Sequence, residues 1–146
     1  MAEVRRLGSS DQHAWTDLRL ALWPDGTSAE FLADIEKLLA DADRQPAFGI
    51  FESEKMVGFA EASEREWGNG CLTAPVAWVE GIYIAPDHRH LGLASQLIDA
   101  IIVWAKARSL TELGSDVAID NQASLHSHER WGFVETERLV VLKKDI

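Results

Sequence analysis

Ala77 to Ile84 reads Ala-Trp-Val-Glu-Gly-Ile-Tyr-Ile, the nearly unbroken apolar run of a strand covered on both faces. Glu80 stands in its middle. A carboxylate there is costly unless it is paired or faces a wet cleft. Glu80 is therefore either the partner of a structural arginine or a group that receives a cation. The next segment, Ala85 to Leu93, is a loop carrying His88, Arg89 and His90, and a helix begins at Ala94. The first turn of such a helix has unpaired amides and the positive end of the dipole. Gly92 and Ala94 let a phosphate approach the backbone, and Arg89 adds a cation, so the loop is an anion site or else an ordinary strand-to-helix connection. Asp116 ends a short strand, where ligand sites gather in open α/β sheets; the other reading is a turn acid. Trp23 and Trp67 offer flat faces for sugars or cations, or pack in the core. His128 is of a residue type that donates protons near neutral pH, or it is a surface helix residue.

These residues sit in a chain of 146, long enough for one domain with one core, residues 1–146. Hydrophobic residues make up 47 % and charged residues 26 %, which excludes a disordered chain. With 24 acidic against 14 basic residues the net charge is −10, so a nucleic acid backbone would be repelled and a cationic partner favoured. The stretch from Asp25 to Glu66 alone holds 11 acids and 4 bases, either a solvated surface or a field for a polycation. One cysteine, Cys71, excludes an internal disulfide and a cysteine zinc cluster. His88/His90 and His126/His128 are His-x-His pairs; on a helix i and i+2 face different ways, so the second pair cannot chelate easily, and no metal is expected. No membrane span or leader pattern is read, and the expected compartment is the cytoplasm. There is no Gly-Lys-Ser/Thr phosphate loop, no three-glycine dinucleotide fingerprint and no Gly-x-Ser-x-Gly elbow.

The spacing of apolar residues predicts the elements that hold these groups. A short strand over Val4–Leu7 precedes a helix opened by a Ser9/Gln12 capping box and stopped at Pro24-Asp25-Gly26. Thr27 and Glu30 cap a second helix with a Phe31, Leu32, Ile35, Leu38, Leu39 stripe. A hairpin follows, Ala47–Phe51 and Met56–Ala62, then a polar loop to Pro75 and the strand with Glu80. A helix over Ala94–Arg108, a strand over Glu112–Ala118, a helix over Asn121–Trp131 and a last strand over Phe133–Lys143 complete a mixed α/β order.

Arg89-His90-Leu91-Gly92-Leu93-Ala94 resembles the Arg/Gln-x-x-Gly-x-Gly/Ala loop of the GCN5-related N-acetyltransferases, the GNAT superfamily. The resemblance implies a mixed α/β sheet with splayed central strands and acetyl-CoA as cosubstrate. It implies that Arg89, His90, Leu91, Gly92, Leu93, Ala94 and Ser95 hold the pyrophosphate, that Ile82, Tyr83 and Ile84 bond the pantetheine arm, and that Asn121 touches the cofactor. His128 stands where most members carry a tyrosine that protonates the leaving thiolate. Leu22-Trp23-Pro24, Asn69-Gly70-Cys71, Glu80-Gly81-Ile82, Ser115-Asp116 and Glu135-Thr136-Glu137-Arg138 are similar to the aminoglycoside 6′-N-acetyltransferases of that superfamily. This implies an aminoglycoside site lined by Trp23, Trp67, Glu80, Asp116 and Glu137, a role in antibiotic resistance, and a homodimer.

The residues themselves fit acyl transfer to a polycationic amine, because several ammonium groups need several carboxylates. Glu80 or Asp116 would take the amine proton or position the ammonium by charge, and His128 would serve the thiolate. Cys71 has no adjacent base, which favours direct transfer over an acyl-enzyme. A GNAT enzyme for another cationic amine, a non-catalytic acyl-CoA sensor and a simple structural domain are the competing readings.

Overall fold

A computed structural model describes all of residues 1–146. Five strands form one sheet in the order β1 (Glu3–Arg6), β2 (Ala47–Glu52), β3 (Lys55–Arg65), β4 (Val76–Ile84) and β5 (Leu113–Gly114). The first three pairings are antiparallel, and β4–β5 is parallel. On one face lie α1 (Gln12–Leu22) and α2 (Ser28–Ala40); on the other lies α3 (Leu93–Ala107), and α4 (Gln122–Arg130) follows β5. Each face buries its own cluster. Phe48, Ile50, Ala60, Ala62, Ala77, Val79 and Ile84 pack with Leu97, Ile98 and Ile101 of α3. Leu7, Phe51, Met56 and Phe59 pack with Trp15 and Ile35 of the α1/α2 layer. No helix is long and apolar enough to cross a membrane.

Two irregularities of β4 shape the fold around the chemistry. Glu61 pairs with Gly81 and Ala62 with Val79, so Glu80 is an extra residue, a β-bulge. Val79 packs in the α3 cluster, and Ile82, three positions on, packs against it as well. Strict alternation would put residues three apart on opposite faces; the bulge absorbs the extra residue and leaves Glu80 and Gly81 on the α1/α2 face. The second irregularity is the short β5. It meets β4 only at Ala77–Leu113 and Trp78–Gly114, after which the two strands part. The edge of β4 from Val79 to Ile84 on that side is left without a strand, which is the splay the family resemblance implies.

Several sequence expectations shift. The helix before Trp23 is opened by a 3-10 turn at Ser9–Asp11, with Gly8 at the cap position. The expected Ser9/Gln12 box is replaced by Asp11, which accepts from the Gly8 amide at 2.8 Å and from Arg5. Asp11 prevails because it is buried and charge-paired, whereas Ser9 is exposed. The Thr27 cap forms as expected, accepting from the Glu30 amide. β5 spans two residues rather than seven. The expected final strand over Phe133–Lys143 does not form, since no strand of the same chain lies alongside it.

Candidate functional site

Alternate residues of β3 point to one face, and on the α1/α2 face they are Phe59, Glu61, Ser63 and Arg65. Glu80, opposite this stripe, accepts the fork of Arg65, Nε at 2.9 Å and a terminal nitrogen at 2.7 Å. The Ser63 hydroxyl donates to the same carboxylate at 2.5 Å. The Arg65 guanidinium lies 4.5 Å from the centre of the buried Trp78 ring, in cation–π range. Hydrogen bonding to Glu80 holds Arg65 above its usual range, and the charges of Glu80 and Asp116 add to this against the opposing effect of burial. Asp116 itself is exposed, just past β5. Glu80 thus has an arginine partner, and its side chain is 33 % exposed.

Trp23 closes one end of this face. A Cβ at Gly81 would lie 2.7 Å from the Trp23 ring, so only glycine lets the indole rest on the bulge. Phe31 and Phe59 hold the ring from the side, and the Arg19 guanidinium covers it at 5.1 Å. Trp67, by contrast, is 65 % exposed on the loop between β3 and β4. That loop is fixed at its far end by Glu112, whose carboxylate accepts from the Leu72 and Thr73 amides and the Thr73 hydroxyl. These bonds, the Thr73 hydroxyl first, hold Glu112 below its usual carboxylate value. Glu137 is exposed but local: its Cγ is 3.9 Å from where a Gly70 Cβ would stand, on the same loop and in the same chain. Cys71 lines a cavity with Ser115 and Thr136, and burial, then the Glu112 charge, pushes its thiol up.

The loop after β4 ends at a helix N-terminus that no side chain caps. His90 and Gly92 both have positive φ, 65° and 76°, and Gly92 caps α3 without any side-chain bond to the first-turn amides. Nothing stands within 4 Å of a Cβ built at Gly92. An uncapped 15-residue helix behind a backbone concavity suits a pyrophosphate, so the amides of Leu93, Ala94 and Ser95 fit the group the sequence resemblance implies. Leu91 is 61 % exposed beside them. Arg89 is less free than expected: its Nε donates to the Ile84 carbonyl at 2.8 Å, tying the loop to the end of β4. Ile82 and Ile84 face the α3 cluster, and Tyr83 packs against the opposite one. Asn121 uses its side-chain oxygen to cap α4 through the Ser124 amide, which leaves its NH2 group to donate.

His128 is buried, not a surface residue. Its Nδ1 is 2.8 Å from the Ser124 carbonyl, an acceptor only, so Nδ1 carries the proton. Its Nε2 is 2.8 Å from Ser115 Oγ. Trp131 and Phe133 pack on the ring. The sequence reading missed three members of the site, Ser63, Arg65 and Ser115. The first two stand two apart on one strand face, a signal visible only once the β3–β4 register is known.

The family model of the acetyltransferase (GNAT) family matches residues 11–133. Aminoglycoside N(6′)-acetyltransferase type 1 of Acinetobacter baumannii is 38 % identical over 144 residues, 98 % of each chain. The protein of that name from Acinetobacter haemolyticus is 41 % identical over 133 residues, 90 % of each chain. Among solved structures, AAC(6′)-Iy in complex with a CoA-S-monomethyl-acetylneamine bisubstrate analogue superposes with a TM-score of 0.95 at 35 % identity, covering 100 % of this chain and 99 % of that one. A ribosomal-protein-alanine N-acetyltransferase from Brucella melitensis shares the fold at a TM-score of 0.76 and 22 % identity, covering 99 % of this chain and 100 % of that one.

Proposed function

The chain belongs to the GNAT acetyltransferase family, and from that premise we propose that it transfers the acetyl group of acetyl-CoA to the 6′-amine of aminoglycosides and so confers resistance to them. The observation that carries this reading is a carboxylate, Glu80, bulged out of an apolar strand onto a face shared with Trp23, in a chain alike over nearly its whole length to aminoglycoside 6′-acetyltransferases.

The cosubstrate supplies the thioester. The Leu93–Ser95 amides would hold its pyrophosphate, the open edge of β4 at Ile82–Ile84 its pantetheine arm, and the Asn121 NH2 group one further contact. On the other face Glu80, Asp116 and Glu137 draw the ammonium groups, and Trp23 and Trp67 lie against sugar rings. In the free protein both oxygens of Glu80 accept charged or hydroxyl donors, and with substrate bound Glu80 orients the amine by charge. Asp116, exposed to water, takes the proton that the amine must lose before attack. His128, when protonated, donates from Nε2 to Ser115 Oγ, and the serine hydroxyl passes a proton on to the thiolate. The raised Cys71 thiol is a poor nucleophile, which supports direct transfer.

The same reading places the protein in the cytoplasm, where acetyl-CoA is available, and makes it a homodimer. Leu139, Val140, Val141 and Leu142 are exposed, at 51 %, 81 %, 84 % and 85 %, and β5 has one edge without a strand; pairing with a second copy would cover both. Sedimentation at micromolar concentration checks this, and a monomer overturns it.

The primary test is thiol release from acetyl-CoA with kanamycin or tobramycin, with spermidine and a lysine peptide as controls. Turnover confined to the aminoglycosides, with the product acetylated at the 6′ amine by mass spectrometry, is the expected result. Turnover only with a control amine moves the enzyme to another cationic substrate. CoA binding without any turnover makes the chain an acyl-CoA sensor.

A further inference from the structure

The cation site on the α1/α2 face is already filled by a cation of the chain itself. An aromatic platform, Trp78, lies beneath; Glu80 accepts a two-pronged bond from the side; Asp116 adds its field. These are the elements that bind an organic ammonium, and Arg65 sits among them. Its position differs from that of a structural arginine. Arg65 is the last residue of β3, and its side chain is 39 % exposed. A guanidinium at that boundary is within reach of water, and an incoming cation that takes its place at Glu80 would offset the loss of its two-pronged bond.

We propose that Arg65 is a specificity-determining residue that stands in for a substrate ammonium at Glu80, yielding to polycationic amines and excluding monocationic ones. The inference rests on the reading above that Glu80 receives the amine. The argument is an exchange of charges. In the free protein Arg65 and Glu80 neutralise each other. A monoamine that displaces Arg65 replaces one cation by another and gains little. A polyamine brings further ammonium groups to Asp116 and Glu137, and these contacts favour the exchange. The stand-in also keeps the Glu80 carboxylate neutralised in the free enzyme.

The test compares wild type with Arg65→Met and Arg65→Lys, each first checked by thermal melting. Arg65→Gln replaces the methionine variant if that one melts early. Two probes share the reacting group: kanamycin A as substrate, and methyl 6-amino-6-deoxyglucoside, a single-amine sugar, as competitor against it. In Arg65→Met the KM for kanamycin is expected to fall about threefold, the scale of an exposed ion pair. The inhibition constant of the monoamine is expected to fall further, on the order of tenfold, so that the preference for the polycation narrows. Arg65→Lys keeps the charge without the planar fork and is expected to retain the wild-type preference. Both constants rising together in Arg65→Met, with no rescue by lysine, would show that the fork merely holds Glu80 in place, and the proposal falls. Failure of the wild type to acetylate kanamycin overturns the functional reading instead.

Discussion

Two arginine–glutamate pairs lie on the same face of the same strand pair, and they differ mainly in burial. Glu61, on β3 across from Gly81, accepts Arg19 at 2.7 Å through two nitrogens and Trp15 Nε1 at 2.8 Å. The side chains of this pair are 8 % and 4 % exposed. Glu80, at the bulge, accepts Arg65 with nearly the same geometry, but those side chains are 39 % and 33 % exposed. A charge pair that water cannot reach is held by the loss either partner would suffer alone. A pair at the boundary is rehydrated when it opens, so opening it costs less than opening the buried one. The first pair joins α1 to the sheet and carries Trp23 on its guanidinium; the second lies at the end of β3, half open to solvent. Burial, not the identity of the residues, separates framework from site.

This contrast can be broken most forcefully at its buried end. Glu61→Gln leaves Arg19 without its counter-charge and is expected to lower unfolding free energy by about 3–5 kcal/mol in urea titration. A loss below about 1 kcal/mol would mean that water or Asp34, 3.4 Å from Arg19, compensates. Glu80→Gln should do the reverse: stability within about 1 kcal/mol of wild type, with kcat/KM for an aminoglycoside reduced on the order of 100-fold through misplacement of the amine. Collapse of stability instead would make Glu80 framework too.

A third pair lies between these extremes. Arg5 and Asp11 have side chains 45 % and 8 % exposed. The Arg5 hydrogen bond, with smaller help from the Gly8 amide and the Arg5 charge, holds Asp11 below its usual value of 3.8 despite desolvation. A folded-state pKa below the unfolded one adds stability above the unfolded value and loses it as pH falls through the folded value. Wild type should therefore exceed Asp11→Asn by about 1 kcal/mol at pH 6 and lose that margin progressively as pH falls below 3.8, read from denaturation midpoints. Salt gives the smallest effect. Raising it from 0.05 to 0.5 M, a range in which the Debye length drops to roughly 4 Å, should raise the aminoglycoside KM severalfold. The melting contribution of Arg19–Glu61, measured with Glu61→Gln, should stay nearly constant.

The framework was legible where a single segment carries its own signal. The β4 run, the α3 stripe and the Thr27 cap all emerge as the spacing predicts. What depends on a distant partner was not legible. Glu80 stood out as an anomaly, but its donors Ser63 and Arg65 are brought to it by a register with a bulge, and nothing local in the sequence specifies that. The Ser9 cap was displaced by Asp11 because Arg5, on the preceding strand, could reach it. His128 was open between proton donor and surface residue; Trp131 and Phe133, folding back on its ring, decided for burial. The Phe133–Lys143 segment has the alternation of a strand, yet a strand exists only beside another.

The bulge at residue 80 is one extra residue in an otherwise regular strand pair. With that one residue deleted, Val79, Gly81 and Ile82 would alternate in strict register, Val79 and Ile82 would keep their places against α3, and β3 and β4 would form an unbroken ladder. The shorter chain is expected to fold to the same core, with Arg65 left without its carboxylate partner. Glu80 is thus one residue more than the ladder needs, and the ladder is expected to outlast its removal.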